Sequence, residues 1–430
     1  MKSSLTIACA MLWAGVPFAQ TGKDAAQNPV GKAPDSLSLE QALRSASKSH
    51  PGLEAHHRAV AAREGALWQA SRGMIPEITL DIEDVAGSGS HQGFSAAQTT
   101  VQISQTLEWQ GKRGRRAQVA AAEKSLAERD LEVKRLKIRA LTLGKFTEAL
   151  YAQRRLSLAV ESQALSERLL EAVTRRVGEG AASMADQLRA HLAASEAGME
   201  VRQDNLRLAS AKRTLGLMMG RGEPGDLPPL RDGLDSLRAL PALDDLQRNI
   251  GAGPMAASQS MRIRLAEAKR DQQQGMAGPD LTFSAGVRHM AEPGDVALVG
   301  GISMPLPFLP FLALRNRNGS REEARQEVAQ AKAEHGETVL ELKSGIGDIH
   351  KNLSLAREEI KTLREEVIPD ALNAATVLET GYRKGRFGML EVLNAETDLF
   401  RYRLRYLEGL LQYQLGYAEL DRLIGSGKED

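Results

Sequence analysis

Cysteine is nearly missing from this 430-residue chain: Cys9 is the only one, inside an apolar N-terminal stretch. That excludes a fold stapled by disulfides and a metal site built on thiolates. Aromatic residues make up only 4%, little for a large globular core. Neither sign of charge prevails, the formal net charge being +1, so the balance points to neither nucleic acid nor an acidic partner. No run is apolar enough for a transmembrane helix, which needs about 20 residues. What the chain does have is Ala, Leu, Glu, Arg and Gln in plenty, the composition of long helices and coiled coils.

The N-terminus carries the marks of export. Lys2 supplies the positive start, residues 5–16 the apolar run, and Pro17, Phe18 and Ala19 a cleavage site before Gln20. Residues 1–19 are expected to be a signal peptide and 20–38 an N-terminal extension. Thr6, Ile7, Ala8 and Cys9 loosely resemble a lipidation box, but too little precedes them for a full signal of that kind. The mature chain would then hold no cysteine.

The sequence repeats itself. Gly180, Met184, Leu188 and Ala190 recur as Gly385, Met389, Leu393 and Ala395, each 205 residues on, and Asp186 recurs as the acid Glu391. His50-Pro51 is echoed by Gly253-Pro254, PEITL at 76–80 by PDLTF at 279–283, and ISQTL at 103–107 by ISMPL at 302–306. An insertion near 307–319 adjusts the spacing. Features arriving twice in the same order indicate an internal duplication. The expected division is a first repeat over 39–220, a connector over 221–254 rich in Pro, Gly and Asp, a second repeat over 255–425, and a tail over 426–430.

Each repeat opens with a helix, 39–72 and 255–275, followed by two strands, spanning 77–109 and 280–306. In the first pair Ile78, Leu80 and Ile82 alternate with Thr79, Asp81 and Glu83, and Val101, Ile103, Leu107 and Trp109 with Gln102, Ser104, Thr106 and Glu108. Stretches of about 10 residues, apolar on one face and polar on the other, suit transmembrane β-strands, though a soluble amphipathic sheet has the same pattern. Helix of unusual length follows. Leu342, Ile346, Ile349, Leu353, Ala356, Ile360, Leu363 and Val367 form a heptad seam. Val119, Ala122, Leu126, Val133, Leu136, Ala140, Leu143 and Leu150 form a looser one. Pro369 is expected to kink the second rod without ending it. Glycines at 178 and 180, and at 385 and 388, mark where each rod turns back. Each repeat is thus a β-hairpin with a long α-hairpin attached. The fold class is mixed α and β. Four lipid-exposed strands cannot close alone, so a barrel would need further copies of the chain.

These residues resemble the outer-membrane efflux (TolC) family. The resemblance rests on the repeated strand–strand–long-helix order, on Tyr382 to Gly385 followed by Glu391-Val392-Leu393, and on LEQAL at 39–43 before His50-Pro51. It implies a homotrimer with an outer-membrane β-barrel set in lipid and a periplasmic helical tunnel, docked through a periplasmic adaptor onto an inner-membrane pump of the RND type. QISQTLEWQGKRGRRAQ at 102–118 and IEDVAGSG at 82–89 resemble the branch that exports heavy-metal cations, Trp109-Gln110 departing slightly from its pattern. Export of drugs or other organic solutes is the rival reading, and a periplasmic coiled-coil adaptor or scaffold a third.

The resemblance also implies roles for residues. Gly178, Gly180, Ser183, Tyr382, Gly385 and Gly388 would form the adaptor-docking tips. Glu391, Asn394 and Asp186 would lie at the pore constriction, where three copies of Glu391 would favour cations; a merely solvated glutamate is the alternative. Asp81, Glu83, Glu108 and Arg288 would face the barrel lumen. No catalytic or cofactor-binding residues are expected: there is no P-loop, HExxH or nucleophile elbow, so an enzyme is not indicated. His50, His56 and His57 beside Glu54 read as scattered helix residues, and no metal site is assigned to them.

Overall fold

The computed structural model describes residues 36–425, apart from 110, 223–226, 232, 277–279, 293 and 306–309; at 90 and 310–318 it describes the backbone alone. The signal peptide, most of the N-terminal extension, the start of the insertion near 307–319 and the tail lie outside the described residues.

Two helices, α1 (Leu39–Ser49) and α2 (Pro51–Ala70), occupy the region expected as a single helix. The break falls at His50-Pro51. Pro51 has no N–H to extend α1 but suits the first position of a new helix. His50 caps that helix, its Nδ1 accepting from the Gly52 N–H at 3.0 Å. The strands β1 (Glu77–Glu83), β2 (Gln98–Leu107), β3 (Leu281–Met290) and β4 (Val296–Ser303) pair antiparallel in the order β1-β2-β3-β4. The two repeats meet along β2 and β3.

One register row shows why this sheet is unusual. Leu80, Val101, Val287 and Leu298 stand side by side across the four strands, yet they are 60%, 50%, 45% and 90% exposed. The next row, on the opposite face, is Asp81, Thr100, Arg288 and Ala297. An apolar face left bare this widely needs lipid or another protein against it. Among the described residues, strands β1 and β4 each keep one unpaired edge.

From β2 the chain enters α3 (Lys112–Gly178), whose 67 residues span about 100 Å at 1.5 Å per residue. It returns as α4 (Met184–Met218), and short α5 (Leu243–Arg248) and α6 (Pro254–Gly275) lead back to the sheet. From β4 the chain runs through α7 (Pro310–Thr362), a π-turn (Leu363–Val367) and α8 (Ile368–Arg383), then back along α9 (Met389–Ile424). The π-turn explains how the helix passes Pro369. A proline ring collides with the carbonyl four residues back, and the wider turn, with the Ile368 N–H reaching Leu363 O, moves that carbonyl aside.

The seam expected on the second rod is buried: Leu342, Ile346, Leu353, Ile360 and Leu363 are at most 5% exposed. The seam expected on α3 is not the observed one. Leu131, Ile138, Phe146 and Ala149 are buried there, and of the expected set only Leu150 is equally so. The reason is geometric, since α3 packs against α1, α2, α4, α6 and α9. A helix with several neighbours buries several stripes. The connector is no loose linker either. Leu227, Leu230, Leu234, Leu246 and Ile250 join the main core. The segment is bolted to one face of α9: Tyr406 donates to Asp235 Oδ1 (2.9 Å), Tyr413 to Arg238 O (2.6 Å) and Tyr417 to Ala239 O (3.1 Å).

Candidate functional site

The two α-hairpins end in turns of the same construction. In the first, Gly180 has φ +71°, its N–H donates to Val177 O at 3.0 Å, and the Ala181 N–H donates to Arg176 O at 2.7 Å. In the second, Gly385 has φ +71°, its N–H donates to Tyr382 O at 2.9 Å, and the Arg386 N–H donates to Gly381 O at 2.8 Å. This pair of bonds around a left-handed residue is the Schellman closure of a helix. Only glycine takes that conformation without strain. Gly178 is the last residue of α3, with open space around it.

The return helices share half of a cap, an acid at the third position, while only the first has a side chain at its N-cap. The Asp186 N–H donates to Ser183 Oγ at 3.2 Å, and Asp186 Oδ2 accepts from the Ser183 hydroxyl at 2.7 Å. The Ser183 hydroxyl first, and the Ser183 N–H, which donates to the same oxygen at 3.3 Å, hold the Asp186 carboxyl below its ordinary range. At the second tip Glu391 accepts from the Gly388 N–H. Both acids assigned to the constriction are therefore capping groups at the third position of a helix. Glu391 and Asn394 are exposed in the single chain.

One side chain missed in the sequence ties the tips together. The Arg176 guanidinium lies 4.5 Å over the Tyr382 ring, and donates to Tyr382 O at 2.6 Å and to Ala181 O at 3.2 Å. Its only sequence signal is its place four residues before Gly180. Below it Leu169, Val173, Ala190, Tyr382, Met389 and Val392 make a small core shared by both hairpins. Burial raises the Tyr382 phenol above its ordinary range.

At the other end, on the polar face of the sheet, Glu83 lies 3.3 Å from Arg288 Nη2, and Arg288 Nε donates to Thr100 Oγ1 at 2.9 Å. Asp81 shares that face. Glu108 departs from the expectation. It lies beyond the last residue of β2, its side chain is 8% exposed, and Arg116 grips it, with Nη2 2.9 Å from Oε2. The alternation of β2 was read past the end of the strand. Glu108 joins the sheet to α3 and is not a free charge on the strand face.

His57 Nε2 meets Arg135 Nη2 at 3.3 Å. Among the described residues no three His, Cys, Asp or Glu side chains are grouped as metal ligands, and no helix is long and apolar enough to cross a membrane.

The sequence model of the outer membrane efflux protein family matches residues 42–221 and 254–426. The chain belongs to that family. Members of the outer membrane efflux family are channel components of the outer membrane, with the helical hairpins on the periplasmic side. Among relatives, the chain is 29% identical over 423 residues to the cobalt-zinc-cadmium resistance protein CzcC of Cupriavidus metallidurans, covering 98% of each. It is 26% identical over 302 residues to the nickel and cobalt resistance protein CnrC of the same organism, covering 69% of this chain and 67% of CnrC. Among solved structures, the Neisseria gonorrhoeae channel MtrE in its open state aligns with TM-score 0.76 at 16% identity, over 90% of this chain and 88% of MtrE. VceC of Vibrio cholerae aligns with TM-score 0.74 at 18% identity, over 90% of this chain and 96% of VceC. Within the family frame the tips of the α-hairpins, with their shared core, lie on the periplasmic side.

Proposed function

We propose that the chain is the passive exit duct of a tripartite system exporting heavy-metal cations, working as a homotrimer with a periplasmic adaptor and an inner-membrane pump of the RND type. The observation that carries the duct is the four-stranded sheet with a bare apolar face and two open edges. Open edges are not tolerated in lipid, and three chains of four strands would close a twelve-stranded barrel. The cargo assignment rests on the near full-length likeness to CzcC, whose name speaks of cobalt, zinc and cadmium. In this reading the twin tips dock the adaptor, Glu391, Asn394 and Asp186 line the constriction, and Asp81, Glu83 and Arg288 face the lumen. Each repeat, 39–220 and 255–425, supplies one strand pair and one hairpin.

The test uses cells that make the cognate pump and adaptor with or without this chain. Cellular zinc, cobalt and cadmium should fall, and tolerance rise, only when the chain is present in the outer-membrane fraction. Loss of an organic dye with unchanged metal content would hand the cargo to organic solutes. A soluble monomer in the periplasm would overturn the duct.

A further inference from the structure

The face of α9 turned toward the rest of the chain follows one heptad seam over its first 25 residues: Met389, Val392, Glu396, Leu399, Arg403, Tyr406, Leu410, Tyr413. Six of these eight positions are apolar or aromatic. Met389, Val392, Leu399, Leu410 and Tyr413 are at most 7% exposed. The two charged positions differ in their company. Arg403 lies 3.5 Å from Glu161 on α3. Glu396 is half-buried and has no hydrogen-bond or ion-pair partner among the described residues. It lines a groove of about 420 Å³ between α3 of the first hairpin and α9 of the second, walled by Leu158, Leu165, Leu399 and Phe400. The charged groups around it are few. Glu379 faces it from α8 and is paired with Arg383; Glu161 and Arg168 line the groove from α3, and Arg403 from α9; no α4 residue lines it.

We propose that Glu396 is a proton-responsive wedge in the seam between the two hairpins: protonated, it lets them pack; ionised, it drives them apart just above the tips. Neither Arg168 nor Arg403, the two cations of the groove, bonds the charged form, Arg403 being engaged by Glu161, whereas the neutral carboxyl suits a half-apolar wall. Burial first, and the negative charge of Glu379 second, push the carboxyl up from 4.5 to about 7. The sign follows from linkage. Because the packed seam raises this value, the seam is favoured most below the ordinary carboxylate range. It weakens as pH climbs toward 7, and above 7 the weakening is constant. If opening hydrates the carboxyl fully, the open-to-packed ratio rises at most about 300-fold across that window. The consequence for transport rests on the duct reading: one to two helical turns from Glu391, this wedge would make opening of the far end sensitive to periplasmic pH.

The wedge itself is tested without conduction. Spin labels are placed on cysteines introduced at Glu171 on α3 and Val377 on α8, both exposed, in full-length chain with Cys9→Ser, diluted with unlabelled chain. Between pH 4 and pH 8.5 the distance distribution should lengthen as pH climbs from the ordinary carboxylate range to about 7, and change no further above it. With Glu396→Gln it should stay at its acid form at every pH. With Glu396→Asp the response should remain. A distribution that ignores pH in the parent chain, or a Glu396→Gln variant that still responds, overturns the wedge. Channel recordings then separate the two readings. Open probability rising with pH in the parent and flat in Glu396→Gln supports the wedge acting in a duct. Distances that respond in a chain that never conducts count against the duct and leave the wedge standing.

Discussion

Where the two helices of each hairpin pack together farther from the tips, equivalent positions hold opposite solutions. In the first hairpin Arg155 on α3 meets Asp204 on α4, with Nε 2.9 Å from Oδ1 and 3.0 Å from Oδ2, and Arg207 adds a contact at 2.6 Å. Asp204 is 1% exposed. In the second hairpin, 205 residues on, the same two places are Ile360 and Gly409. They touch so closely that a Cβ on Gly409 would lie 3.0 Å from Ile360 Cγ1. Yet the tip turns are built alike, bond for bond, and each return helix carries an acid at its third position. The difference teaches where duplication leaves freedom. A turn forces its residues through backbone geometry, whereas a helix–helix contact asks only that the space be filled and polar groups be satisfied.

The largest expected effect comes from breaking the ionic version. Asp204→Ala strands Arg155 and should cost about 3 kcal/mol in denaturant melts of the detergent-solubilised chain. Copying the second hairpin into the first, with Arg155→Ile and Asp204→Gly together, should recover most of that loss, because both members of the buried pair go together and Arg207, which also loses its contact, is half-exposed. A double variant as unstable as the single one would show that the two contacts are not interchangeable. Gly409→Ala, which crowds Ile360, should cost about 1–2 kcal/mol.

Tip substitutions come next. Gly180→Ala and Gly385→Ala meet no neighbour within 4 Å, so only the left-handed backbone is strained, by about 1 kcal/mol at each site. Hydrogen exchange should report equal local loosening at both tips; an effect at one alone would deny their equivalence. Adaptor pull-down should weaken further with valine at either place.

The smallest stability change, under about 0.5 kcal/mol, is expected for Glu391→Gln, since glutamine keeps the cap. Cation selectivity in planar bilayers should nonetheless fall, and Glu391→Lys should lower or reverse it. Identical selectivity in all three would leave Glu391 a capping residue only.

The same contrast explains what could be read in advance. Strand faces and tip glycines were legible because alternation and left-handed turns are local demands, visible in Leu80 beside Asp81 and in Gly180 and Gly385. The buried faces of α3 were not legible, since five partners along one helix erase any single period. Glu108 was misplaced because alternation does not announce where a strand ends. The docking of the connector was invisible too, since Tyr413 and Tyr417 bond backbone carbonyls that every sequence provides. Arg176 and Glu396 lay between legible features. Each is an ordinary charged residue until its surroundings are known.

One contrast between the hairpins bears on the whole duct. Met389 is 3% exposed, covered within the chain by the first hairpin, while its counterpart Met184 is 63% exposed. In the small core around Met389 sits Val173, whose own counterpart 205 residues on is Leu378. If three chains close a tube in which first and second hairpins alternate, Met184 of one chain should lie against Leu378 of the next. The direct measurement is disulfide formation in the outer membrane with Met184→Cys and Leu378→Cys in a Cys9→Ser chain. The account predicts a ladder to covalent trimer, and only intrachain bonds for a Met389→Cys and Val173→Cys control. A 184–378 pair that stays monomeric on the gel while the control closes would contradict it.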